Sequence, residues 1–436
     1  MSTLNMKVKL PMQQTFEGAK VRNIKPHDQL VRLTLAHMLF EDQFYVDGKT
    51  SASLIENLIP KCDPEFVAKL AITARTDYKL RHVPLLLIRE LARTGKLKAE
   101  TVNSVIQRAD EMGALLALYW KDGKTPLSHQ LKKGIALAFG KFSEYALAKN
   151  DKNSAAITIR DAMFLCRPTP KDAEQEVLFT KIANKALKTP DTWEVALSGG
   201  ANKKETFERL MDEGKLGALA FLRNLRNMVE ADVDERIIRE FAQGVDVSKV
   251  LPFRYIAAAR IVPQFEDMLE SMMLKSLESH EKLPGKTRLL VDVSSSMYAA
   301  KVSAKSDITR QDASLALAML CREICEDVEI FSFSGRAIRI APRRGFALAD
   351  AIKNSQGCSG TRLGVSIRET DGKYDRTIII TDEQSQDQTT APKGHSKGYV
   401  LNVGSYANGI NHGAWTTVTG FSEAVIDYIL AAEKSQ

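Results

Sequence analysis

The sequence predicts an array of short α-helices over residues 26–280 and a doubly wound α/β domain over residues 286–436. Three observations carry this. From about residue 26 to 280 the apolar residues recur at helical spacing almost throughout. After residue 286, short β-branched strands alternate with helical stretches, the pattern of a parallel sheet covered on both faces. The first of those strands, Thr287–Val291, runs straight into Asp292-Val-Ser-Ser-Ser-Met297, a carboxylate and two hydroxyls at alternate positions where the strand ends.

The elements follow in order. Residues 1–25 are polar and predict an arm. Leu30–Phe40 predicts a helix, and Phe44–Gly48 a turn. Ser51 is placed to cap the next helix, with Leu54, Ile55, Leu58 and Ile59 inward. Asp63-Pro64 predicts a helix start, with Phe66, Leu70 and Ala74 on one face. Further helices are expected over His82–Arg93, Lys98–Met112 and Gly113–Trp120. Short turns between helices of ten to fifteen residues predict stacked antiparallel pairs, although no clean repeat period is present. In the second half, Val328–Phe333, Arg376–Asp382 and Gly398–Val403 read as strands, Asp312–Asp327 as a helix, and Gly360-Thr361-Arg-Leu-Gly364 as a helix start. Asp292, Thr361 and Asp382 then share the rim formed by the strand C-termini, where open sheets bind ligands. Glu383, the acid next door, alternates away from that rim.

Length and composition bound the rest. The chain has 436 residues, enough for two or three domains, and its 44% apolar and 26% charged content is that of a globular protein. No apolar run approaches the roughly 20 residues of a membrane span, and the first ten residues lack the apolar core of a signal peptide, so a cytoplasmic location is expected. The five cysteines are scattered, without zinc spacing, and read as reduced structural thiols. The net charge is +7, but Trp120–Lys171 holds ten Lys/Arg against four Asp/Glu, a local +6. A basic stripe of this kind suits a polyanion. Its cations include Lys132, Lys133, Lys141, Arg160, Arg167 and Lys171; a solvated lysine-rich helix surface is the alternative for each. A second basic group, Arg75, Arg81 and His82, surrounds a helix junction, and Arg223 and Arg226 lie three apart in Leu219–Met228.

The oxygen-only set Asp292, Ser294 and Ser296 suits Mg²⁺ with waters completing an octahedron. Together with Thr361 and the strand-end Asp382, in that order, it resembles the metal-ion-dependent adhesion site of a von Willebrand factor A domain. The resemblance implies that Ser294, Ser296 and Thr361 touch the metal directly or through water and that the aspartates supply charge. It leaves the sixth position open to a partner's carboxylate or another anion. A polar rim without an ion is the alternative reading of the same residues.

The helical half is similar to the TROVE module of Ro autoantigen proteins and their bacterial or phage relatives. The resemblance is carried by Leu131-Lys-Lys-Gly134, Arg160-Asp161, Arg167-Pro-Thr-Pro-Lys171 and Leu222-Arg-Asn-Leu-Arg-Asn227, in this order and followed by the A-type segment. It implies a HEAT-like helical ring, or toroid, closed by the A domain within one chain, so that a monomer suffices. It implies binding of structured noncoding Y RNA on a basic outer surface and of single-stranded 3′ ends of misfolded or maturing RNA in the central hole. It implies a role in RNA quality control, maturation or decay, with polynucleotide phosphorylase as a partner in some relatives, and no enzymatic activity. Consistent with that, the chain has no phosphate-binding G-x-x-x-x-G-K-[ST] loop, no H-E-x-x-H and no G-x-S-x-G elbow. An A-type protein adaptor, gripping an acidic partner through the metal, is the second expectation. A metal-assisted hydrolase would call for a denser acidic cluster than Asp292 and Asp382 provide.

Overall fold

The computed structural model describes residues 25–36, 48–299 (apart from 249, 251 and 279), 309–382, 396–403 and 415–419, with shorter stretches at 385–387, 389–393, 429–430 and 433. The expected N-terminal arm, the end of the first helix, the turn before Gly48 and Glu383 lie outside the described residues. Two compact units divide the chain, one containing Lys49–Ser276 and the other Leu277–Gln436.

The helical unit begins with α1 (Pro26–Ala36), α2 (Gly48–Leu58), α3 (Pro64–Thr76), α4 (His82–Arg93), α5 (Ala99–Val105) and α6 (Asp110–Tyr119). It continues through α7 (His129–Phe139), α8 (Glu144–Asn150), α9 (Ile159–Cys166), α10 (Ala173–Ala183) and α11 (Trp193–Ser198). The last members are α12 (Lys203–Asp212), α13 (Ala218–Glu230), α14 (Glu235–Gly244), α15 (Phe253–Ile261) and α16 (Glu266–Leu277). Many starts are set by one side chain that satisfies an otherwise orphaned amide. Asp63 accepts from Phe66 N at 2.9 Å. Thr158 and Asp161 close a reciprocal capping box at α9, and Thr192 caps α11. Side chains from α1 to α10 share one buried cluster, including Leu30, Leu87, Leu115, Phe139, Ile159 and Ile182.

Two expectations in this unit are corrected. Ser51 lies inside α2 and does not cap it, and Leu54 is 40% exposed while Ile55, Leu58 and Ile59 are buried. Lys98–Met112 is not one helix, because the chain breaks between α5 and α6. The cause is Glu111, whose fully buried carboxylate accepts from Gln107 N and Arg108 N at 2.8 and 3.1 Å. It is paired with Arg75 at 2.8 Å from across the junction. A continuous helix would place those amides out of its reach.

The second unit is a six-stranded sheet of order β3-β2-β1-β4-β5-β6. Its strands are β1 (Leu283–Asp292), β2 (Cys325–Phe333), β3 (Ala337–Arg339), β4 (Arg376–Thr381), β5 (Lys397–Asn402) and β6 (Trp415–Thr419). All pairings are parallel except β2–β3. The central strands β1 and β4 are apolar on both faces, as a doubly covered parallel sheet requires. Helices α17 (Ser295–Ala299), α18 (Arg310–Ile324), α19 (Gly345–Lys353) and α20 (Leu363–Glu369) complete the unit. On one face Leu290, Ile379 and Val400 pack with Leu363 and Ile367 of α20. The antiparallel edge strand β3 and the parallel strand β6 were not expected from the sequence. The expected helix over Asp312–Asp327 ends at Ile324, and Cys325 passes directly into β2.

Candidate functional site

The strand order reverses at β1. The chain leaves it toward β2 and later returns on its other side through β4, β5 and β6. The crevice at the C-terminal ends of β1 and β4 is therefore the topological switch point, where open α/β sheets place their ligands. Register brings the two aspartates to it. Val291 pairs with Ile380, so Asp292 and Asp382 end adjacent strands. Both are fully buried.

Asp292 accepts from Ser294 N at 2.8 Å and from the Thr381 hydroxyl at 2.6 Å. Ser294 and Ser296 bring their hydroxyl oxygens within 3.2 Å of each other. Thr361 is 5% exposed, in the loop before α20. That loop is pinned at the end of β2: Ser334 Oγ donates to Ser359 O and Gly360 O and accepts from Ser359 N at 2.9 Å. Arg362 N donates to Ser334 O and Gln386 N to Thr361 O, each at 2.8 Å. A Cβ on Gly360 would stand 2.4 Å from Gln386 Oε1, so the exposed Gln386 side chain packs over a glycine here. Asp387 accepts from Gly364 N and Val365 N at 2.9 and 2.7 Å, fixing the start of α20. Asp292, Ser294 and Ser296 are thus brought together at the end of β1, with Asp382 at the end of the adjacent strand.

Burial, followed by the charge of Asp382, pushes the Asp292 carboxyl up to about 7. A fully buried carboxylate beside hydroxyl oxygens is an environment that a hard divalent cation would relieve, and the residues fit Mg²⁺ by donor type. Among the described residues no group of three or more His, Cys, Asp and Glu could hold a metal, so hydroxyls would have to complete this set. One residue of the rim was not anticipated. Arg310, the first residue of α18 and 2% exposed, places Nη1 2.9 Å from Asp382 Oδ2.

The basic residues divide by what their charge does. Arg75 pairs with Glu111, and Arg81 with Asp110, joining α3, α4 and α6. His82 opens α4; burial, then neighbouring Arg81, lowers its pKa. The Lys141 ammonium donates to Asn103 O and Ile106 O at the end of α5. Arg160 donates to Ala183 O at 2.8 Å and stacks 4.9 Å over the exposed Phe164 ring. Arg226 pairs with Glu230 at 2.8 Å. Lys133, Arg167, Lys171 and Arg223 are exposed, and Lys132 half-buried. Arg167 adopts a left-handed φ of 52° as the C-cap of α9. Arg167 ends α9, which packs on α7, the helix that carries Lys132 and Lys133.

A cavity of about 1680 Å³ lies inside the helical unit, lined by residues between Arg108 and Val250. Of the sequence-predicted cations it collects Arg160 and Arg223. It adds Lys149, Lys152, Lys188 and the rings of Tyr145 and Trp193, which the sequence reading did not select. Tyr145 is 47% exposed with the Lys149 ammonium 5.5 Å over its ring. Phe139 is fully buried and Phe142 packs against the core.

Short helices make up one unit of the chain, and a doubly wound sheet with two buried strand-end aspartates makes up the other. The TROVE domain model matches residues 183–326, which includes Leu222–Asn227 and extends through Asp292–Ser296. The fold resembles the crystal structure of the Deinococcus radiodurans Ro (Rsr) protein with a TM-score of 0.62 at 16% identity, covering 93% of this chain and 99% of that one. Telomerase protein component 1 of Mus musculus is 34% identical over 91 residues, and that of Rattus norvegicus 33% over 91. The chain covers 4% of the length of either relative. The chain thus carries a match to the TROVE domain across about a third of its length and a fold like that of a solved Ro protein. No helix among the described residues is long and apolar enough to cross a membrane.

Proposed function

We propose that this protein binds noncoding RNA, taking a structured Y-like RNA on its basic helical face and single-stranded 3′ ends elsewhere on the helical unit, and acts in RNA quality control, maturation or decay. The observation that carries the reading is the cavity in the helical unit, where Lys149, Lys152, Lys188 and Arg223 stand beside the rings of Tyr145 and Trp193. Cations that track a backbone, interleaved with rings on which bases stack, are the requirements for sequence-tolerant single-strand binding. Lys132, Lys133, Arg167 and Lys171 supply phosphate contacts on the face formed by α7 and the end of α9. A cytoplasmic location, a monomeric state and an exoribonuclease such as polynucleotide phosphorylase as partner belong to this proposal.

A second reading is supported by the full burial of the Asp292 carboxyl beside the Ser294 and Ser296 segment. Asp292, Ser294, Ser296, Thr361 and Asp382 would hold Mg²⁺ and present it to an acidic group on a protein partner. Both readings operate together if the A domain recruits a protein to an RNA-bound chain.

The test is crosslinking and sequencing of RNA bound in cells, comparing wild type with Lys132→Glu/Lys133→Glu/Arg167→Glu. An abundant, structured small RNA that disappears in the variant is the expected result. No enrichment over a neutral control protein would end the RNA reading.

A further inference from the structure

We infer that Arg310 is a resident counter-cation that claims Asp382, so that a divalent ion at this rim is carried by the Asp292 side alone and is held weakly. The inference rests on the metal reading of the rim and deepens it.

The geometry is specific. Arg310 is among the largest fully buried side chains of the protein, and its Nη1 lies 2.9 Å from a carboxylate that is itself fully buried. Its backbone position is fixed. Thr309 N donates to Asp312 Oδ2 at 2.7 Å and Asp312 N to Thr309 Oγ1 at 3.2 Å, a capping box that sets where α18 begins. Arg310 follows the cap directly. Its guanidinium therefore projects from a fixed helix start to the end of β4 at the switch point, and swinging it into water would take this ion pair from a fully buried carboxylate.

Charge then decides how the rim behaves. Two carboxylates and one guanidinium leave the metal-free rim with one net negative charge when both acids are ionised. A divalent ion would meet half the charge that a two-aspartate rim offers and would leave the rim positive, ready for a carboxylate or phosphate from a partner. A guanidinium within a few ångströms of a buried cation site also repels the cation, because the local dielectric is low. A full ion pair at Asp382 thus favours a rim that loads when a partner's anion arrives with the metal, and the fold keeps its own cation in the meantime.

The experiment is Mn²⁺ titration of the full chain by calorimetry, with bound Mn²⁺ confirmed by its electron paramagnetic resonance signal. Arg310→Gln is expected to bind Mn²⁺ roughly tenfold to a hundredfold tighter than wild type, from removal of one nearby positive charge. Arg310→Lys, which keeps the charge, should stay within about threefold of wild type by the same argument. Equal affinity in wild type and Arg310→Gln would overturn the inference and leave the metal reading standing. No Mn²⁺ binding in either protein would remove both. If Arg310→Gln does not fold, the neutral pair Arg310→Gln/Asp382→Asn decides. Affinity near wild type supports a metal carried by Asp292, and a loss beyond about tenfold, close to one charge-assisted ligand, shows that Asp382 is a ligand and overturns the inference.

Discussion

A carboxylate without accessible surface, near a second carboxylate, is held toward its acid form, and Asp292 meets both conditions. An aspartate in the unfolded chain ionises near pH 4, whereas burial pushes the folded Asp292 up to about 7. Between those values the unfolded state has lost its proton and the native state has kept it. Native stability therefore falls as pH rises through this window, and the loss is complete above about pH 7. Asp292→Asn substitutes an amide for the protonated acid. In EDTA the variant should gain stability over wild type as pH rises from 5 to 8, by about 2 kcal/mol, and the two should converge toward pH 4. Urea unfolding at four pH values measures this, and parallel curves would show that Asp292 is ionised in the native state. The strand-end positions of Asp292 and Asp382 were legible in the sequence because each follows a recognisable apolar strand. Arg310 was not, since a basic residue at the start of a helix carries no mark of the strand end it will face. Ser334, which holds the Thr361 loop, was hidden for the same reason: its partners lie about 25 residues further along.

Helices of the repeat unit pack by backbone approach as much as by apolar stripes, and Gly134 shows it. A Cβ there would lie 2.4 Å from Val102 Cβ and 2.6 Å from Ala99 O, so α5 and α7 touch where only glycine fits. Two effects of Gly134→Ala oppose each other. Alanine in a helix interior gains about 1 kcal/mol over glycine. Overpacking against a fixed neighbour costs about 1–3 kcal/mol, and more where the neighbour is backbone. The carbonyl of Ala99 cannot move without shifting α5, so the cost should win, with a net loss of about 2 kcal/mol and a melting temperature lower by roughly 4–8 °C. An unchanged or higher melting temperature would mean that α5 slides freely. The same contrast explains which elements were readable. The start of α3, marked by the local cap Asp63, falls where the sequence predicts. The break between α5 and α6 depends on a buried pair between Glu111 and Arg75, 36 residues apart, and left no local trace. The short strand β3 pairs through only three residues, too few for a periodic signal.

Across the whole chain, a formal charge of +7 says little until the structure sorts which cations are available. Nearly all of the excess lies between Trp120 and Lys171, but within it Lys141 is occupied by carbonyls of α5 and Arg160 by Ala183 O. The exposed remainder includes Lys133, Lys152, Arg167 and Lys171. Each phosphate contact with a duplex contributes about 0.9 to the slope of log affinity against log salt. Lys132→Ala/Lys133→Ala/Arg167→Ala should therefore flatten that slope by about 3 for a structured, base-paired RNA while the fold stays intact. Arg75→Ala should behave in the opposite way. It leaves the buried Glu111 with only Arg81 as its cation, at 3.7 Å, which costs about 3 kcal/mol in stability, yet it should leave the salt slope of the remaining folded protein unchanged. Fluorescence anisotropy between 50 and 300 mM salt, paired with thermal melts, separates the two sets. A flattened slope in Arg75→Ala would place the α3–α4–α6 junction at the RNA. An unchanged slope in the triple variant would remove the face of α7 and α9 from the interface and leave the cavity lined by Tyr145, Trp193 and Arg223 as the place where the strand is held.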